Sequence, residues 1–200
     1  MSEHPPLADS PESWPVDSTR DLHRDHWVMS LREDRIRRPA HPEDEPFRRL
    51  VLEHPGAVIV LAVDDQDRVR CLWQYRHAAH RLFVELPAGL MYEGDETPEQ
   101  VSRRELREET GLEATGWTHL TTTWSSPGIS EEVMHHFLAT GLTDVGRGDF
   151  EPAHEEAEMV AGWVPFTDLV EAVLDGRVGD GPLVVAVLAA HARGLVGGPR

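Results

Sequence analysis

GLMYEGDETPEQVSRRELREETGL, residues 89–112, is the stretch on which the fold turns. Gly89 and Gly94 punctuate its first half, as a tight loop requires. The second half carries a helix's start and stop. Thr97 suits the N-cap, Pro98 the first helical position, Gln100 completes a capping box, and Gly111 stands just past the end. At about 100° per residue, Glu105 and Glu109 share a face with Val101 and Leu106, while Arg103 and Arg107 point the other way. A solvated helix turns its acids outward. Turning two carboxylates toward the body of the protein is costly unless a cation meets them there. Arg104 lies four residues before Glu108 and is placed to pair with it. The loop ahead of the helix can add backbone carbonyls and Glu96 to the same corner, and such oxygen donors select Mg²⁺ or Mn²⁺ over softer ions. The bland alternative is a mixed-charge helix facing solvent, and the glycine loop packed before it weighs against that reading.

The rest of the chain bounds the surroundings. Two hundred residues with 40% hydrophobic content suit one ordinary domain with a small appendage. The net charge of -17 argues against nucleic acid or an anionic membrane as partner, since both need a basic surface. A small anionic ligand remains compatible if a metal ion stands between it and the protein's acids. The single cysteine, Cys71, forms no internal disulfide and fits a reducing compartment; it reads as a buried core residue and not as a nucleophile. With no basic, apolar leader at the N-terminus and no apolar run long enough to cross a bilayer, a cytoplasmic protein is expected.

Along the chain, residues 1–16 read as a disordered tail rich in Pro, Ser and acids. Residues 17–54 hold two candidate strands, HWVMSLRE and FRRLVLEH, in a hairpin-like β subdomain. Residues 55–200 form the main domain. AVIVLAV (57–63) reads as a strand buried on both faces. VRCLWQY (69–75), LFVEL (82–86), WTHLTTTW (117–124), VMHHFLA (133–139) and MVAGWV (159–164) are further strands, with a Pro-Ala-Gly turn after LFVEL. Two helices starting at prolines and stopping at glycines, 165–176 and 182–194, end the chain. Strands, helix, strands and helices in this order give an α/β or α+β sandwich. The histidines do not make a zinc site: His135 and His136 alternate across a strand, and His77 and His80 lack a third ligand. Trp73, Trp117, Trp124 and Trp163 read as core residues more readily than as platforms for a base.

The 89–112 segment resembles the Nudix box, whose pattern is G, five residues, E, seven residues, then R-E-U-x-E-E-x-G-U with U apolar. Gly89, Glu96, Arg104, Glu105, Leu106, Glu108, Glu109, Gly111 and Leu112 supply it. Six residues separate Gly89 from Glu96, a one-residue insertion in the loop before an intact helix. EHPGAV, QYRH, ELPAGL, the SPG loop and HEEAEM extend the resemblance to the ADP-ribose pyrophosphatase branch of the family. The resemblance implies an α/β/α sandwich with a mixed sheet, an N-terminal β subdomain that builds a homodimer, and Mg²⁺- or Mn²⁺-dependent cleavage of ADP-ribose to AMP and ribose 5-phosphate. It also implies roles. The carbonyl of Ala88 with Glu105 and Glu109 forms the metal set, Glu108 shares a second metal, and Glu96 supports from outside. Glu156 in AHEEAEM acts as general base, with Glu155 the near alternative, and Arg104 belongs to the same catalytic set. Arg76 contacts substrate, Glu85 supports it, and the SPGISEE loop with Gly128 and Glu132 touches the terminal ribose, unless that loop is an ordinary turn. Another nucleoside diphosphate (a nucleotide sugar, NADH or a dinucleoside polyphosphate) and a non-catalytic ADP-ribose-binding domain are the alternative readings.

Overall fold

The uninterrupted apolar run AVIVLA makes Ala57–Ala62 the strand around which the structure is organised. The computed structural model describes residues 7–91, 94–148 and 158–197. They fall into two units, Met1–His54 and Pro55–Arg200.

The first unit is an antiparallel sheet of β1 (Val16–His23), β2 (Ser30–Ile36) and β3 (Phe47–Glu53), in that order. Two strands were expected here, and β1 is the additional one. Its sequence VDSTRDLH lacks apolar alternation and every residue of it is exposed. Polar cross-strand contacts hold it instead: Thr19 Oγ1 donates to Asp34 Oδ1 at 2.9 Å, and Arg20 lies 3.4 Å from Glu33. Such pairs contribute a few tenths of a kcal/mol to about 1 kcal/mol each. Part of the expected tail is also engaged, because Trp14 stands edge-on to Phe47 and the Arg37 N–H donates to Pro15 O. Among the described residues, every buried hydrophobic side chain belongs to the second unit. The three-stranded sheet therefore has no apolar core of its own, and it exposes Val16, Leu22, Trp27 and Val28.

In the second unit, β4 (Ala57–Ala62), β7 (Ala88–Leu90), β8 (Leu112–Trp124) and β9 (Val133–Asp144) form a sheet in the order β7-β4-β9-β8. β4 and β9 run parallel, with Ile59 opposite His136, and the other pairs are antiparallel. A second antiparallel sheet takes β5 (Arg68–Arg76), β6 (Arg81–Glu85) and β10 (Val160–Pro165) in the order β10-β5-β6. The residues Ala88–Leu90, expected as part of a turn, are instead the short strand β7, and β8 begins at Leu112 directly after the helix, five residues earlier than the apolar pattern suggested.

Alternation along β4 divides its side chains between two layers. Ile59 and Leu61 pack with Phe166, Leu169, Leu183 and Ala186 from α2 (Phe166–Leu174) and α3 (Gly181–Ala192). Val60 and Ala62 pack with Leu106 of α1 (Pro98–Thr110) and with Leu112, Ala114 and Ala139. The result is the expected α/β/α sandwich with a mixed sheet, α1 on one face and α2 with α3 on the other. Both faces of β4 are dry, which explains why its sequence is an uninterrupted apolar run.

Candidate active site

Helix α1 forms where its punctuation places it. Thr97 Oγ1 accepts from Gln100 N, the Gln100 side chain accepts from Thr97 N, and Gly111 adopts the left-handed conformation at φ 74°. Val101 and Leu106 are buried at 1% and 0% exposure, and Glu109 is buried beside them at 8%. Glu109 therefore faces inward, and the Glu105 side chain beside it is only 13% exposed.

The surroundings of these carboxylates are set by β7. Ala88 N–H donates to Glu109 Oε2 at 2.9 Å. Next to it, the Glu105 carboxyl lies against Gly89 so closely that a Cβ there would stand 2.0 Å from Glu105 Cδ. Gly89 is thus a cradle that lets a carboxylate reach the backbone beside the Ala88 carbonyl. Arg104 gathers the remaining acids. Its Nη1 donates to Glu105 Oε1 at 2.8 Å and to Glu108 Oε2 at 3.2 Å, and its Nε lies 3.5 Å from Glu96. The expected Arg104–Glu108 pair is present as one part of this larger cluster. The repulsion among Glu96, Glu105 and Glu108 is offset by the guanidinium at their centre.

Among the described residues, no three His, Cys, Asp or Glu side chains already converge as a metal cage; Arg104 stands between the acids. The donor set nevertheless fits a hard divalent cation in kind: Glu105 lies in the Gly89 cradle, Glu109 is held against Ala88 and Glu108 is on the same helix, and all donors are oxygens. A cleft of about 700 Å³ runs along the arginine-bearing side of α1, lined by Arg103, Arg104, Arg107, Glu108 and Arg147 among others, and among the described residues its lining includes none of Ala88, Gly89, Glu105 and Glu109. Its volume lies in the range of small-molecule sites.

A second cluster stands on β5 and β6. Arg76 forms a two-pronged pair with Glu85, Nε to Oε1 at 2.9 Å and Nη2 to Oε2 at 2.7 Å. Glu85 is buried while about half of Arg76 remains exposed. The Glu85 carboxylate holds the Arg76 guanidinium above its ordinary pKa. Asp180, the N-cap of α3 through its bond from Leu183 N, is pushed up to about 6 by burial and further by the Glu85 charge, while Leu183 N–H and Arg76 pull it down. Sequence reading missed Asp180, whose only signal was its place before Gly181 and Pro182.

The other expected residues are distributed as follows. The SPGISEE loop closes on itself, Ser125 N to Glu132 O and Glu132 N to Ser130 Oγ, with Gly128 exposed. Glu155 and Glu156 lie outside the described residues. Cys71 is buried and its thiol is pushed up to about 12 by desolvation, so it is no nucleophile. Trp73, Trp117 and Trp163 are half-buried against the core, and Arg103 stacks on Trp117 at 4.8 Å. Trp124 departs from the core reading, since it is 51% exposed.

These features meet in one family. The NUDIX domain signature matches residues 53–186, and the chain belongs to the Nudix family. It is 41% identical over 165 residues to an ADP-ribose pyrophosphatase of Mycobacterium tuberculosis, covering 82% of this chain and 77% of that protein. It is 29% identical over 147 residues to a GDP-mannose pyrophosphatase of Yersinia enterocolitica, covering 70% and 75%. A crystal structure of an ADP compounds hydrolase shares the fold, with TM-score 0.72 and 17% identity over 93% of this chain and 96% of the other. Hydrolases of this family generally work with a divalent cation.

Proposed function

We propose that the protein is a Nudix pyrophosphohydrolase that cleaves the pyrophosphate bond of ADP-ribose to AMP and ribose 5-phosphate, using Mg²⁺ or Mn²⁺. The observation that carries this reading is the inward carboxylate face of α1 seated against Ala88 and Gly89, in a chain 41% identical to an ADP-ribose pyrophosphatase. A bound divalent cation would neutralise the pyrophosphate and activate a water. Ala88 O, Glu105 and Glu109 would hold it, Glu108 would share a second ion, and Glu96 would steady the set through Arg104. Arg76, fixed by Glu85, offers its exposed edge to a substrate phosphate. Glu156, or Glu155, takes the proton of the attacking water, and the Gly128–Glu132 loop meets the terminal ribose.

The similarity to a GDP-mannose pyrophosphatase favours a nucleotide sugar as the second reading. The β1-β2-β3 sheet, with its exposed Trp27 and no core of its own, supports a homodimer built through this unit. The deciding experiment incubates purified protein with ADP-ribose, with and without Mg²⁺, and resolves the products chromatographically. Metal-dependent release of AMP and ribose 5-phosphate is expected. Turnover of GDP-mannose with none of ADP-ribose would replace the substrate, and binding of ADP-ribose without turnover would replace the enzyme by a binding domain.

A further inference from the structure

Glu109 is held at both ends. Its carboxylate accepts from Ala88 N–H at 2.9 Å, and its backbone carbonyl accepts from Arg147 Nη2 at 2.5 Å. Arg147 lies 38 residues further along the chain, just beyond the end of β9. The segment that carries it is docked on the end of α1. Val145 N–H donates to Gly111 O at 2.9 Å, and Gly146 N–H donates to Asp144 Oδ1 at 3.1 Å. A Cβ on Gly111 would meet Gly146 Cα at 3.2 Å, so the missing side chain of Gly111 is what lets the segment approach.

The last carbonyls of a helix have no donor within the helix and carry the negative end of its dipole. A guanidinium there makes a charge-assisted bond, which is shorter and stronger than a neutral one. The carbonyl it takes belongs to the residue whose side chain faces Ala88. Fixing that peptide plane fixes the direction in which the Glu109 side chain leaves the backbone. A ligand carboxylate has to be held within about 0.5 Å of its working position.

We propose that Arg147 is a positioning residue for Glu109: by binding the Glu109 carbonyl from outside the helix, it sets the carboxylate for the divalent cation. This rests on the reading of Glu109 as a metal ligand. A helix cap that merely adds stability would lower the melting temperature and leave metal affinity alone. A positioning role moves metal affinity, and it moves kcat more than KM.

The test compares the full-length wild type with Arg147→Met, Arg147→Lys and Glu109→Gln. Mn²⁺ binding is read by electron paramagnetic resonance, folding by circular dichroism, and turnover with ADP-ribose. Loss of a supporting partner of a ligand costs about 10- to 100-fold in metal affinity, and a loss of that size is expected in Arg147→Met. Arg147→Lys, which keeps a charged donor, is expected to recover most of it. If Arg147→Met does not fold, Arg147→Gln carries the same comparison. Wild-type Mn²⁺ affinity in the folded Met or Gln variant overturns the inference whatever the melting temperature. Wild-type Mn²⁺ affinity in Glu109→Gln overturns the metal assignment itself, and the inference with it; loss there with none at position 147 overturns the inference alone.

Discussion

The carboxyl of Glu105 occupies the space that a side chain at position 89 would need, with Cδ only 2.0 Å from the point where a Gly89 Cβ would sit. The obstructed atoms are the end of a flexible side chain, so Gly89→Ala displaces the carboxylate and leaves the backbone in place. The expected outcome is a turnover loss of about 10-fold or more with stability within about 1 kcal/mol of wild type. Steady-state kinetics and thermal melts on the same preparation check both halves. Unimpaired turnover would show that Glu105 does its work from elsewhere.

Glu109→Gln keeps the shape of the side chain and an oxygen able to accept from Ala88 N–H. It removes the charge that a divalent cation requires. Turnover is expected to fall by at least about 100-fold, the scale on which loss of an electrostatic contact to the reacting centre is felt, while the far-ultraviolet circular dichroism spectrum is unchanged. Activity close to wild type would remove Glu109 from the metal set.

Arg104 is the internal cation among Glu96, Glu105 and Glu108. Its replacement by Met leaves like charges facing one another. Without metal the variant is expected to lose about 2 kcal/mol, and saturating Mg²⁺ should restore more of its melting temperature than it adds to the wild type. Thermal shifts in chelator and in Mg²⁺ make the comparison. Equal metal-induced shifts in the two proteins would mean that the guanidinium does not stand in for the cation.

His136 is fully buried on β9, with Nε2 bonded to Thr123 Oγ1. Burial above all, then the charges of His135 and His119, pushes its pKa from 6.5 down to about 4. Between those values the unfolded chain binds a proton that the folded one does not, so stability rises with pH across the window and is lost on acidification. The difference corresponds to about 3 kcal/mol at most. Denaturant unfolding of the wild type and His136→Asn from pH 6.5 down to pH 4 should show a shallower loss in the variant. Parallel curves would assign the acid sensitivity to other groups.

The helix and its inward acids were legible because each local signal agreed with the next: cap, proline, apolar spacing and terminal glycine all describe the same thirteen residues. The buried strand β4 was equally plain, since both of its faces are dry. The strands that escaped notice are held by other means. β1 has no apolar periodicity because cross-strand ion pairs hold it, and β7 is three residues long and hidden in a Pro-Ala-Gly run whose local chemistry describes a turn. Within the candidate site, the acids could be read from spacing, but the Gly89 cradle depends on a contact between residues sixteen apart and the Arg147 bond on one 38 apart. Spacing rules for a single helix carry no information at that range.

The parallel seam between β4 and β9 also bears on how the chain is made. AVIVLA emerges from synthesis early, yet its partner along one edge, Met134–Ala139, comes much later. In the interval β4 has only the three-residue β7 to pair with, and its other edge presents free backbone donors and acceptors flanked by Val, Ile and Leu. An open apolar edge of this kind is a template for association with other chains. Nonlocal parallel pairing is slow to form. The step that completes the sheet is therefore also the step that ends the chain's exposure to aggregation, and variants that weaken β9 should reduce soluble yield before they reduce the activity of the protein that does fold.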